Sequence, residues 1–241
     1  MRLSGLLLLA SAVLAAQSPW DESMARGTQA LQKGTYSEAR REFESARQRA
    51  QDRAQQAMAL VRLGMVSERE QRFDLAQEFF EGSLGLREQE FGPDHLEVAA
   101  SLDHLARALQ AQGRVTEAEE RQGRAMAIRA RRIAAESTEP PPGGAGEVLG
   151  KETDRAPRLE HRVDPKYSEE ARLARHQGRV ELAVEIGPDG RPYRIRLEKG
   201  LGLGLDEQAV EAVRQWQFQP GVKGGKPVTV RTKISVHFRL L

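Results

Sequence analysis

Residues 178–200 read GRVELAVEIGPDGRPYRIRLEKG. Val180, Leu182, Val184 and Ile186 alternate with Arg179, Glu181, Ala183 and Glu185, the period of a strand with one buried face. Gly187-Pro188-Asp189-Gly190 is a turn. Beyond it Tyr193, Ile195 and Leu197 alternate with Arg194, Arg196 and Glu198, the second arm of a hairpin. A helix is expected from Leu205 to Phe218. Asp206 and Glu207 stand in its first turn, where the helix dipole favours acids. Its inner stripe is Leu205, Ala209, Ala212 or Val213, and Trp216, and Pro220 stops it. A last strand is expected over Val228 to Leu240, with Val230, Ile234, Val236 and Phe238 on one side. Thr229, Arg231, Lys233, Ser235, His237 and Arg239 fall on the other. A short helix near Ser168 to Ala174 precedes these elements, so the predicted unit is a small α+β layer.

Upstream the period is helical and the sequence repeats. Three stretches align: Gly34-x-Tyr36-x-x-Ala39-x-x-x-Phe43-x-x-Ala46, then Phe73-x-x-Ala76-x-x-x-Phe80, then Gly113-x-Val115-x-x-Ala118-x-x-x-Gln122-x-x-Ala125. Twelve residues before each central Ala stands another small residue, Gly27, Gly64 or Ala106. Tyr36, Ala39, Phe43 and Ala46 form one helical stripe, as do Val98, Leu102, Leu105 and Leu109. The small residues mark where helix backbones approach, and the aromatics are expected to fill the space between neighbouring pairs. Ser18-Pro19 starts a helix, Gly34 ends it, and Gly92-Pro93-Asp94 with Glu97 reads as a stop followed by a capped start.

Between these patterns, Pro140-Pro141-Pro142-Gly143-Gly144 cannot continue a helix, and residues 136–156 read as a flexible tether. Charge changes across it: residues 17–137 hold 18 Lys/Arg against 20 Asp/Glu, and residues 158–241 hold 16 against 11. The expectation is two independent domains. At the other end, Arg2 precedes an apolar run from Leu3 to Ala16 that turns polar at Gln17. A positive start, a short apolar middle and a small-residue exit describe a secretory signal over residues 1–16. An uncleaved anchor or a buried helix are the alternatives. With no Cys in the chain, a lipidated N-terminus, disulfides, thiolate metal sites and a Cys nucleophile are excluded.

Chemistry is hard to find. Gly200-Leu201-Gly202-Leu203-Gly204 follows a strand but has its third Gly at the wrong step for a dinucleotide loop, and Gly224-Gly225-Lys226-Pro227 lacks the Ser/Thr of a P-loop. His95, His104, His161, His176 and His237 are scattered without ligand spacing. No nucleophile elbow occurs, and carboxylate pairs such as Glu119-Glu120 read as solvated. Lys+Arg at 37 against Asp+Glu at 35 is too balanced for a dedicated nucleic-acid binder. No catalytic, cofactor or metal residue is assigned, and an enzyme is not expected.

Two resemblances follow from these residues. Residues 19 to 135 resemble tetratricopeptide (TPR) repeats, about three of them over residues 17–135, and Phe91-Gly92-Pro93-Asp94-His95 with Val98-Ala99 resembles the longer kinesin-light-chain type. The family's Trp is absent and Gln122 replaces the aromatic of the third unit. This resemblance implies a concave surface for a protein or peptide partner; a plain helical bundle or spacer is the alternative. Residues 157–241 resemble the TonB C-terminal domain through Asp164-Pro165-Lys166-Tyr167, Gly178-Arg179-Val180, Pro188-Asp189-Gly190, Leu205-Asp206 with Ala209, Trp216-x-Phe218-x-Pro220, Gly225-Lys226-Pro227-Val228 and Phe238. Asp164 and Ser168 stand where that family has Gln and Pro, and its N-terminal membrane helix and long Pro-rich spacer are not recognised here.

The second resemblance implies a periplasmic, non-enzymatic protein that takes a TonB-box segment of outer-membrane transporters by strand addition. The strand expected to receive it is the last, at Val230, Arg231, Thr232, Lys233 and Ile234. Arg231 and Lys233 are charges of the kind that blunt an idle edge, or merely solvate it. The alternative is an envelope scaffold whose C-terminal domain only packs or dimerises.

Overall fold

The computed structural model describes residues 18–142 and 153–240; the leader expected over residues 1–16, and residues 143–152 of the expected tether, lie outside them. Six helices come first: α1 (Pro19–Lys33), α2 (Tyr36–Arg49), α3 (Arg53–Arg69), α4 (Phe73–Phe91), α5 (Leu96–Ala111) and α6 (Val115–Glu136). Consecutive helices pack on one another, and α3 also touches α1 and α5. Ser18 caps α1 through a reciprocal box with Asp21, and Gly34 closes it at φ 81°. The start of α5 differs from expectation. Its cap is His95, whose Nδ1 accepts the Glu97 N–H at 3.2 Å, and not Asp94.

The small–aromatic pattern is a steric necessity inside each pair. A Cβ on Gly27 would lie 2.6 Å from the Phe43 ring, and one on Gly64 would lie 2.3 Å from Phe80. Each Phe is fully buried against the glycine of its own helix partner, so the aromatics act within pairs first. Phe80 also reaches the next pair, stacking on His104 of α5 at 5.0 Å. Ala in place of Gly gains about 0.5–1 kcal/mol of helix propensity, while overpacking a closed core costs about 1–3 kcal/mol. Gly64→Ala is therefore expected to lower the urea midpoint. Gly85→Ala on α4, where a Cβ meets nothing within 4 Å, is expected to raise it.

The second half contains β1 (Arg158–His161), α7 (Glu169–Leu173), β2 (Gly178–Ile186), β3 (Pro192–Lys199), α8 (Leu205–Arg214), β4 (Gln217–Gln219), β5 (Gly221–Lys223), β6 (Lys226–Val228) and β7 (Val230–Phe238). The expected strand, strand, helix, strand series is β2, β3, α8 and β7, forming an antiparallel sheet of order β3-β2-β7 with α8 against it. Four short strands are added. β1 pairs with β4, and β5 with β6 around Gly224 and Gly225, both at positive φ. Two boundaries move accordingly. The helix stops at Arg214 rather than Phe218, because Trp216 turns away and Phe218 enters β4. The last strand splits into β6 and β7 at Thr229.

The halves are not independent. One apolar cluster runs from Phe43, Leu63 and Phe80 through Leu105 to Leu173, Leu182, Ile195 and Trp216. α6 lies along β3. The end of the expected tether is also ordered onto the sheet domain: the Asp154 N–H donates to the Val222 oxygen at 2.9 Å, and the Asp154 carboxylate accepts the Gly224 N–H at 2.7 Å.

Candidate functional site

A sheet of order β3-β2-β7 has two edges. The β3 edge faces α6, whose end meets Tyr193 and Arg194 across a small cleft with Arg214. The β7 edge is different: among the described residues β7 pairs with β2 alone, in register from Gly178↔Phe238 to Ile186↔Val230. Alternate residues of an antiparallel edge strand turn their N–H and C=O groups outward, where another backbone can pair. All five predicted residues, Val230 to Ile234, lie on this strand. Their side chains divide as the alternation predicts: Val230 and Ile234 are buried with Val236 and Phe238, while Arg231 and Lys233 are exposed.

The two charges reach across the sheet. Arg231 donates to Glu185 of β2 at 2.8 Å, and Arg194 of β3 approaches the same carboxylate at 3.4 Å. Glu185 is buried, so these cations are its compensation. Lys233 passes over Ala183, too small to obstruct it, and meets Glu198 of β3 at 2.6 Å. Neither side chain is committed to masking the outer rim.

The remaining motif residues support the edge from behind. The Tyr167 hydroxyl donates to the His176 oxygen at 2.6 Å, and its ring meets Phe238 edge-on at 5.6 Å. Trp216 Nε1 donates to the Val163 oxygen at 2.8 Å, with the Arg162 guanidinium 5.6 Å above its ring. Gly190, at φ 77°, leaves no room for a Cβ, which would lie 1.9 Å from the Phe218 oxygen. A Cβ on Gly178 would strike Leu201. Leu205 and Phe218 are buried, while Pro165 and Pro220 are half-buried in the flanking turns. These residues shape the scaffold and do not line the open edge.

A second constellation was not foreseen. The loop after β3 (Gly200 to Gly204) spends its amides on carboxylates, which closes it to phosphate. The Leu201 and Gly202 N–H groups donate to Asp206 at 2.7 and 3.1 Å, and the Leu203 N–H donates to Asp103 of α5 at 2.8 Å. Arg129 of α6 pairs with Asp103, and its Nε lies 3.6 Å from both Asp206 and Glu207. Arg129, Asp103 and Asp206 are all buried. Asp206, quoted for the resemblance, is thus also the junction between halves.

Nearby, α7 presents Glu169 and Glu170 to the helices. Arg62 donates to Glu169 at 3.0 Å, while Arg87 and His104 stand 3.9 and 3.8 Å from Glu170. Burial acts to raise the Glu170 carboxyl, but the His104 ring and the Arg87 and Arg62 guanidiniums outweigh it and hold the group at about 2. A value below the ordinary 4.5 means that this contribution is complete above about pH 4.5 and is lost as pH falls toward 2. Unfolding free energy is expected to drop by up to about 3 kcal/mol through that window from this group. Glu170→Gln should remove that component, as read from urea unfolding at about pH 5 and pH 2.5.

Among the described residues no helix is long and apolar enough to cross a membrane, and no cluster of His and carboxylates could hold a metal ion.

Comparison with known proteins agrees with the architecture. Residues 163–240 match the family model for the Gram-negative bacterial TonB protein C-terminal, and residues 55–131 match that of the tetratricopeptide repeat. Protein TonB of Vibrio cholerae is 33% identical over 79 residues, which is 32% of this chain and 32% of that protein. Protein tonB2 of Pseudomonas aeruginosa is 32% identical over 81 residues, 33% of this chain and 30% of the relative. For Escherichia coli Protein TonB the figures are 31% over 81 residues, 33% and 34%. The chain spans about a third of the length of these curated relatives. The solution NMR structure of the Pseudomonas aeruginosa TonB CTD aligns with 39% of this chain and 96% of its own, at 25% identity and a TM-score of 0.32.

Proposed function

We propose that this chain, a TonB-type C-terminal domain behind tetratricopeptide-type repeats, is a non-enzymatic adaptor of the cell envelope, working in the periplasm in association with TonB-dependent transport. Its β7 edge takes up a TonB-box-like extended segment of an outer-membrane transporter by strand addition. One observation supports this above the others: helix α6 lies along the β3 edge while β7 pairs only with β2 among the described residues. Main-chain hydrogen bonds supply affinity in this mode, and the exposed row of Arg231, Lys233 and Ser235 beside the edge supplies choice. The test is a titration of the intact protein with a fluorescent TonB-box peptide, followed by anisotropy. Saturable binding that an unlabelled copy displaces is expected; no binding up to millimolar peptide refutes strand addition.

The tight junction between the halves favours a second reading. In that reading the C-terminal domain serves to pack against the repeats or to dimerise, as part of an envelope scaffold. Absence of peptide binding combined with a concentration-dependent dimer would select it.

A further inference from the structure

We propose that the face built by α3, α4 and α5 is a receptor for a short acidic helix, and that α7 of the same chain occupies it. Every polar end of α7 is met by a cation from the repeats. At its start Arg62 holds Glu169 at 3.0 Å, with Arg87 and His104 facing Glu170 at 3.9 and 3.8 Å. At its end Arg69 donates to the Leu173 oxygen, and Arg107 donates to the Ala174 oxygen at 3.3 Å. Acids at a helix start and open carbonyls at its end are what define a helix electrostatically. Four guanidiniums and one imidazole thus read both the charge and the direction of one short helix.

The receptor is prepared before the helix arrives. Arg87 is buried and fixed by Glu97 at 2.8 Å and by the Ser101 hydroxyl at 3.0 Å, and His104 is stacked on Phe80. A five-residue helix has no stability of its own, so α7 owes its shape to this docking and to its own domain. The face does not end with α7. Beyond Glu169 it continues onto α1 as an open groove lined by Trp20, Met24, Gln29, Met58 and Arg62. A partner of the repeats is accordingly a helix with an acidic pair against Arg62 and Arg87. It carries apolar residues a turn or two earlier, to lie on Trp20, Met24 and Met58, and it binds by displacing α7. This surface makes no use of β7, so a failure of strand addition leaves it standing.

The probe is a labelled peptide of residues 163–177 of this chain, VDPKYSEEARLARHQ. It is titrated against the full wild-type chain and against the full chain carrying Glu169→Arg and Glu170→Arg. Tethering keeps α7 at high effective concentration, so the wild type should bind the probe weakly and the double variant about tenfold or more tighter. Adding Arg87→Glu to the variant should abolish that gain, and a peptide with Glu170 alone reversed to Arg should restore it. Equal affinity for wild type and variant means α7 does not occupy the face in solution, and no binding to either means the face does not recognise an acidic helix; each result overturns the proposal. Should circular dichroism show the double variant unfolded, the isosteric Glu170→Gln chain carries the test. A rise of about threefold is then expected, and no change overturns the proposal.

Discussion

Arg129→Met is expected to cost about 3–5 kcal/mol, the penalty for removing one member of a buried ion cluster. The guanidinium comes from α6, yet its partners Asp206 and Glu207 belong to α8, and Asp103 binds the loop between β3 and α8. With Met there, two buried carboxylates keep their backbone donors but lose the guanidinium that pairs with them. Met preserves most of the side-chain volume, so the loss reports charge and not a cavity. The effect should appear at the junction first. Thermal unfolding should begin earlier, and a protease site placed within residues 143–152 should then release halves that the wild type holds together after cleavage. Arg131→Met is the control. Arg131 stands two residues on and pairs with Asp94 at 2.6 Å, but both side chains are about two-thirds exposed, and such pairs contribute about 0–1 kcal/mol. Equal effects from the two substitutions would show that the junction is not held electrostatically.

The second large effect concerns the open edge. Thr232 and Lys233 are neighbours on β7, so one N–H points to β2 and the other outward. Proline removes a donor and disturbs a ladder wherever it needs one. Of Thr232→Pro and Lys233→Pro, one is expected to destabilise the sheet by about 3 kcal/mol or more. The other should retain the fold while losing at least about tenfold in affinity for the TonB-box peptide. Reading both variants by urea unfolding and anisotropy separates the two. If the variant that keeps its fold binds the peptide as the wild type does, pairing at β7 is excluded.

Much of this architecture was legible because it rests on short-range periodicity. The stripe Tyr36, Ala39, Phe43, Ala46 and the glycines at 27 and 64 specify helix pairs, since no larger residue fits beneath Phe43 and Phe80. The alternation from Val180 to Leu197 specifies β2 and β3. Strands β1, β4, β5 and β6 were missed because three or four residues carry no measurable period. Trp216 and Phe218 misled for a related reason: Trp216 continues the helical spacing of α8, and distant partners, Leu159 opposite Phe218 and the Gly190 oxygen that accepts the Phe218 N–H at 2.9 Å, draw the chain into β4. Strand β7 could be placed from its alternation, whereas its position at one edge of the sheet and the packing of α6 along β3 could not.

The junction between the halves had no periodic signature in the sequence. Asp103 meets Leu203 a hundred residues away. The one available hint was a charge on an apolar stripe: Asp103 lies beside Leu102, and Arg129 beside Ile128, both fully buried. A charge in such a position needs a partner, although the sequence does not say which. Arg62, Arg87 and His104 gave the same kind of sign, and Glu170 answers it from the far half.

Amide hydrogen exchange of the intact protein, with and without a saturating TonB-box peptide, tests strand addition most directly. The account predicts slowed exchange confined to β7, residues 230–238, with β3, residues 192–199, unchanged because α6 already lies along it. Protection that appears at β3 or on the helices, with β7 exchanging as before, would contradict it.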